Sequence, residues 1–115
     1  MVKKDKKKIL ETFILSKGHA GIVQYVLLEH LGILNKKDTD KYCKSDGFLG
    51  CHPDYKNPGI EASTGSLAHG IGIANGMAYY DKINKKNKNL FLVMSDGELQ
   101  EGSVWENMMM SSNLN

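Results

Sequence analysis

The apolar residues fall into two kinds of pattern. Phe13-Ile14-Leu15 and Leu90-Phe91-Leu92-Val93-Met94 are short continuous runs, the length and composition of strands buried in a parallel sheet. Between and after them the spacing becomes helical. From Ala20 to Leu31, the residues Ile22, Val23, Val26, Leu27, Leu28 and Leu31 predict an amphipathic helix closed by Gly32 at its C′ position. Residues 36 to 43 predict a short helix, and residues 68 to 82 a longer one. Ser103-Val104-Trp105-Glu106 fits the S-x-x-E capping box, so a last helix is expected to open at Ser103. Strands alternating with helices give an α/β class, a partial doubly wound parallel sheet.

Two segments break the pattern. Residues 45 to 66 are long, aperiodic and rich in Gly, Pro and Asp. A loop of that length in a small domain is expected to be ordered and functional. The helix after it carries Gly70, Gly72 and Gly76, each costing roughly 1 kcal/mol relative to alanine. Close approach of another backbone or a bulky ligand is the physical reason to expect. Residues 1–12 show no clear period and read as a frayed arm or half a helix. With one or two strands and an uncapped last helix, residues 1–115 read as a single incomplete domain.

Composition narrows the function classes. The chain is 41% hydrophobic and 24% charged, ordinary for a globular protein. The longest apolar runs are far short of the ~20 residues a membrane-spanning helix needs. The basic start has no apolar segment behind it, unlike a secretory signal. A net charge of +2, carried by lysine with no arginine, argues against nucleic acid. Two cysteines, Cys43 and Cys51, suit reduced thiols in the cytoplasm better than a disulfide framework.

Chemistry concentrates at the strand end Ser95-Asp96-Gly97. An acid beside a glycine at the carboxyl end of a parallel strand is placed to hold a hard cation that bridges a phosphate. His19, His52 and His69 all adjoin turns or helix starts. They are able to donate to phosphate or hydroxyl groups, or to ligate zinc with Asp96, although no H-x-x-x-H spacing favours zinc. Glu98 and Glu101 suggest a carboxylate pair of the glycosidase kind. Both are also the ordinary acids of a helix-initiating turn, a reading that suits Glu98 better than Glu101. His30 reads as a helix-terminus cation and Met108 to Met110 as packing. GIGIANG, Gly70 to Gly76, departs from G-x-G-x-x-G by one residue and follows a loop, so a Rossmann site is disfavoured. A phosphate at that helix N-terminus, held by Gly65-Ser66 amides, remains open.

Three stretches together resemble one family: ILSKGHA (14–20), GCHPDYKNPGIEASTGSLAHGIGIANGMA (50–78) and MSDGELQEGSVWE (94–106). They are similar to the thiamine-diphosphate-binding domain of transketolase, in the form encoded as a separate N-terminal subunit. The resemblance implies that fold and its cofactors, thiamine diphosphate and Mg²⁺. Asp96 then matches the Mg²⁺-ligating aspartate and Gly97 the glycine packed on the diphosphate. His19 matches a histidine touching the diphosphate and the reaction centre, and His52 the GHP histidine that bonds donor-sugar hydroxyls. Gly65, Ser66 and Leu67 match the segment beneath the cofactor, and Glu101 a glutamate of the subunit-interface acid network.

The implied activity is transfer of a two-carbon ketol unit from a ketose phosphate to an aldose phosphate, in the cytoplasm. The glutamate that activates the aminopyrimidine comes, in the family, from a second, pyrimidine-binding domain or subunit. A homo- or hetero-oligomer follows, and this chain alone is expected to be inactive. Ser95 replaces the first glycine of GDG and Cys51 the glycine before His52. The asparagine completing the Mg²⁺ site would fall past Asn115, and another substrate histidine before Met1. Competing expectations are a non-catalytic remnant or interaction subunit, and an enzyme of the 1-deoxyxylulose-5-phosphate synthase kind.

Overall fold

The computed structural model describes residues 11–114. Strand β1 (Glu11–Leu15) leads through a tight 3₁₀ turn at Gly18–Ala20 into helix α1 (Gly21–His30). A single turn of helix, α2 (Lys36–Thr39), is followed by a long connection with neither helix nor strand. Helix α3 (His69–Ile83), strand β2 (Asn89–Val93), a second 3₁₀ turn at Gly97–Gln100 and helix α4 (Gly102–Asn113) complete the order. The α/β class holds. β1 and β2 are parallel neighbours, paired from Glu11 with Asn89 to Leu15 with Val93. The ladder runs one residue further, where the Ser16 amide donates to the Val93 carbonyl at 2.9 Å. Both strands therefore deliver their following loops to one edge of the sheet, where such folds bind ligands.

Several expectations shift. Both strands begin one or two residues early, so Glu11 and Thr12 belong to β1, while the rest of the expected arm lies outside the described residues. β2 is covered on one face only. Leu92 and Met94 pack against Ala68, Ile71 and Val104, whereas Phe91 and Val93 are exposed. The helix expected over 36–43 stops at Thr39. Its start is a capping box made by Asn35 and Asp38. Beyond it the chain winds through turns to Cys43, which takes a left-handed conformation with φ 54°.

Helix α1 ends as its sequence predicts. Gly32 has φ +70°, its amide bonds Glu29, and the Ile33 amide bonds Leu28, a Schellman motif. Its buried face is another matter. Gly21, Gln24, Tyr25 and Leu28 point inward at i, i+3, i+4 and i+7, leaving Val23, Val26, Leu27 and Leu31 more than half exposed. The reason is the long connection: Leu49 and Ile60 join Tyr25, Leu28 and Leu34 in a core of their own, and the loop covers that side. Gly21 lets it come close, since a Cβ there would lie 2.9 Å from the Cys51 carbonyl.

Helix α4 starts before the expected box. Glu101, extended at φ −84° and ψ 129°, is the N-cap and Ser103 lies inside the helix. The preceding 3₁₀ turn leaves Glu101 as the residue where the chain changes direction, and its carbonyl accepts the Val104 amide.

Candidate functional site

The loops leaving β1 and β2 are joined by a buried carboxylate. Glu98 is fully buried, and its Oε1 accepts from the Ser16 hydroxyl at 2.5 Å and from the Ala68 amide at 3.1 Å. Its Oε2 accepts from the Ser95 amide at 2.8 Å and the Ser95 hydroxyl at 3.3 Å. One side chain thus fixes the end of β1, the start of α3 and the residue before Asp96. Burial pushes this carboxyl up, but hydrogen bonds from Ser16, Ser95 and Ala68 outweigh that and hold it below its ordinary value. Glu98 is therefore an anion at the N-terminus of α3, the helix before it, and not of the helix it precedes.

This network is not legible in the sequence as such. The glutamate reads there as an ordinary turn acid, and Ser16, Ser95, Thr64 and Ala68 carry no role. The only signal available is a pair of small hydroxyl residues directly after two apolar strands. Glu98 and Glu101 do not form a catalytic pair, because the first is saturated with donors and the second is exposed at the N-cap of α4.

The segment between Thr64 and Ala68 lies across both strand ends. The Thr64 hydroxyl donates to the Leu15 carbonyl at 2.7 Å, and the Ala68 amide is held by Glu98. Gly65 and Gly18 are pressed together: a Cβ on Gly18 would lie 2.5 Å from the Gly65 amide nitrogen. Gly65 has φ +143° and faces the His52 ring, at 2.9 Å from a Cβ placed there, so no other residue fits. His52 itself is anchored by its carbonyl, which accepts from the Tyr25 hydroxyl at 2.8 Å. Ala68 takes a left-handed conformation, φ 63°, in full burial.

Around this scaffold the expected site residues divide. His19 sits in the 3₁₀ turn after β1, Asp96 and Gly97 follow β2, and Gly65, Ser66 and Leu67 lie between; none of them is buried. His52 joins them through Gly65. Glu101 stands further along, where α4 begins. His69 opens α3 with its Nδ1 2.9 Å from the Leu67 carbonyl. Among the described residues, no three His, Cys, Asp or Glu side chains converge as a metal cage, so the zinc set of His19, His52, His69 and Asp96 is not assembled. GIGIANG is part of α3 and makes no phosphate-cradling loop.

The chain matches the family model of the transketolase thiamine diphosphate binding domain over residues 4–115. It belongs to that family. An apulose-4-phosphate transketolase subunit of Phocaeicola vulgatus is 38% identical over 106 residues, covering 92% of this chain and 38% of its own length. The corresponding subunit of Actinobacillus succinogenes is 37% identical over 97 residues, 84% of this chain and 35% of its own. Transketolase of Homo sapiens is 39% identical over 103 residues, 89% of this chain and 16% of its own. The chain spans well under half the length of these relatives. Within this transketolase-family domain, Asp96 stands on the edge where the two strands end, and the Glu98 network is what shapes that edge.

Proposed function

We propose that this chain supplies the half of a transketolase-type active site that holds diphosphate and Mg²⁺, completed by a pyrimidine-binding partner domain or subunit. The observation that carries the reading is the Glu98 anchor, which leaves His19, Gly65–Leu67, Asp96 and Gly97 accessible along one edge. Their chemistry fits the cofactor. Among the described residues nothing lies within 4 Å of a Cβ placed on Gly97, so that backbone is open to an outside group. Beside it Asp96 offers an accessible carboxylate. Mg²⁺ prefers six oxygens, so a lone aspartate is suited to sharing the ion with a diphosphate.

When bound, thiamine diphosphate supplies the nucleophilic carbon that carries a two-carbon ketol unit from a ketose phosphate to an aldose phosphate. Asp96 would hold Mg²⁺, and Gly97 with Gly65, Ser66 and Leu67 would seat the cofactor. His19 donates toward the diphosphate and the reacting centre. His52, fixed by Tyr25 and Gly65, donates to donor-sugar hydroxyls. Glu101 joins a carboxylate network at the contact with the partner. The two bacterial relatives are each named as one subunit of a sugar-phosphate transketolase, which supports both a divided enzyme and this substrate class. Exposed apolar positions on α1 and α4, with Trp105 and Met109 more than half exposed, support a covering partner. Sugar-phosphate substrates imply a cytoplasmic setting.

Calorimetric titration of thiamine diphosphate into the protein assembled with a pyrimidine-binding partner tests this. Binding should require Mg²⁺ and be lost in Asp96→Asn. Binding indifferent to both Mg²⁺ and Asp96 overturns it.

A further inference from the structure

Cys43 and Cys51 stand outside the roles assigned above. Both are free and exposed, and their Sγ atoms lie 3.2 Å apart. Their separation in sequence matches no disulfide or zinc pattern, so the fold alone brings them together. Cys43 turns left-handed, its amide donates to the Leu49 carbonyl at 2.8 Å, and Leu49 is buried in the core with Tyr25 and Ile60. Two residues later comes Cys51. Both ends of the intervening loop are therefore pinned to one wall.

We propose that Cys43 and Cys51 are a redox-active pair that closes to an intramolecular disulfide by exchange with a low-molecular-weight disulfide of the glutathione type. Closure staples the segment that ends at His52. In the first step the thiolate of one cysteine of the pair attacks one sulfur of the small disulfide, whose S–S bond breaks and expels one thiolate. In the second, the other cysteine attacks the protein sulfur of the mixed disulfide and the second small thiolate leaves. The two protons lost by the cysteines end on the two departing thiols. The protein is oxidised by two electrons and the small disulfide is reduced by two.

The geometry suits each step. Exposure of both sulfurs leaves room for the mixed disulfide. A disulfide needs about 2.05 Å between sulfurs, so closure asks for a movement on the order of 1 Å. The Cys43 thiol is pushed up, chiefly by its hydrogen bond with Cys51, as the close approach of the two sulfurs requires. The neighbouring Tyr42 phenol is pushed up to about 12, by burial and then by the two thiols, and places no charge beside the pair. Cys51 adjoins His52, whose carbonyl and ring are already held by Tyr25 and Gly65. The proposal stands on the cysteine pair and is independent of any role for that histidine.

The protein is treated with oxidised glutathione, quenched with iodoacetamide and digested with trypsin without reduction. Cleavage at Lys44 falls inside the ring. Closure therefore appears as peptide 42–44 linked to peptide 45–56, two hydrogens short of their summed mass. Two thiols per chain should be lost together in the wild type. Cys43→Ser should instead accumulate glutathione on Cys51. Closure should also be at least about tenfold slower in denaturant, because the native fold supplies the proximity. Glutathione retained on both cysteines, an intermolecular link, or equal rates in native and denatured chains would each overturn the proposal.

Discussion

The Ser16 hydroxyl donates to Glu98 across 82 positions of sequence, tying the end of β1 to the turn after β2 in full burial. Apolar packing near this point comes from Ile14 and Leu15 of β1 and from the cluster of Ala68, Ile71 and Val104 with Leu92 and Met94. The carboxylate is a further link between the two halves of the edge. Its four donors match the capacity of an ionised carboxylate and leave no oxygen idle. Glu98→Gln turns one acceptor into a donor that faces existing donors. Leaving buried donors unmatched costs about 1–3 kcal/mol, so this variant should unfold at lower denaturant by that amount. Trp105, whose Nε1 donates to the Leu99 carbonyl at 2.8 Å, reports on the same turn by fluorescence. A variant as stable as wild type would remove Glu98 from the role of anchor.

The same carboxylate predicts an acid dependence. In an unfolded chain a glutamate titrates near about 4.3. Folded Glu98 lies lower, because the Ser16, Ser95 and Ala68 hydrogen bonds outweigh the upward push of burial. The unfolded state therefore takes up this proton first as pH falls. Stability from the charge is complete above the unfolded value and drains away as pH drops through the folded one. The gap between wild type and Glu98→Gln should be widest at pH 6–7 and narrow below about pH 4. Urea unfolding at a series of pH values measures it. A gap that does not change with pH would mean that the charge contributes nothing.

Much of the outline is readable from periodicity. The two apolar runs are adjacent parallel strands, Gly32 closes α1, and the helix expected over 68–82 is displaced by one residue. The acid-glycine tip at Asp96-Gly97 also stands where the alternation of elements implies, on the carboxyl edge. What stays hidden depends on contacts between distant residues. The inward face of α1 is set by the loop carrying Leu49 and Ile60, which overrides the stripe of Ile22, Val23, Val26 and Leu27. The start of α4 is set by the 3₁₀ turn before Glu101, which places Ser103 inside the helix. Glu98 is invisible locally because its donors lie on Ser16 and Ala68, 82 and 30 positions away, and on Ser95, whose place beside Asp96 does not mark it as a donor to Glu98.

Ala68 gives a prediction in which two effects nearly cancel. It holds a left-handed conformation at the N-cap of α3, costing roughly 1–2 kcal/mol for a residue with a Cβ. Its methyl is buried with Ile71 and Val104, worth about 0.8 kcal/mol. Ala68→Gly keeps the amide that Glu98 holds, relieves the backbone and loses the methyl. The net should be neutral to stabilising by about 1 kcal/mol, the opposite of the usual alanine-to-glycine loss inside a helix. Equilibrium unfolding decides. A loss above about 1 kcal/mol would show that core packing outweighs the strain at this position.

Gly70 and Gly76 share a helix and should respond in opposite directions. A Cβ on Gly70 would lie 2.7 Å from the Ser16 Cα, so the helix reaches the end of β1 only because this side chain is missing. Gly70→Ala must push Ser16 away, straining the backbone and loosening its bond to Glu98, a cost of about 1–3 kcal/mol. Among the described residues, nothing lies within 4 Å of a Cβ on Gly76. Gly76→Ala therefore gains helix propensity without a clash and should stabilise by about 0.5–1 kcal/mol. Thermal unfolding of the two variants side by side separates close packing from mere composition as the reason for glycine. A destabilising Gly76→Ala would mean that another surface rests on that face of α3. A harmless Gly70→Ala would mean that Ser16 can move without loosening the Glu98 anchor.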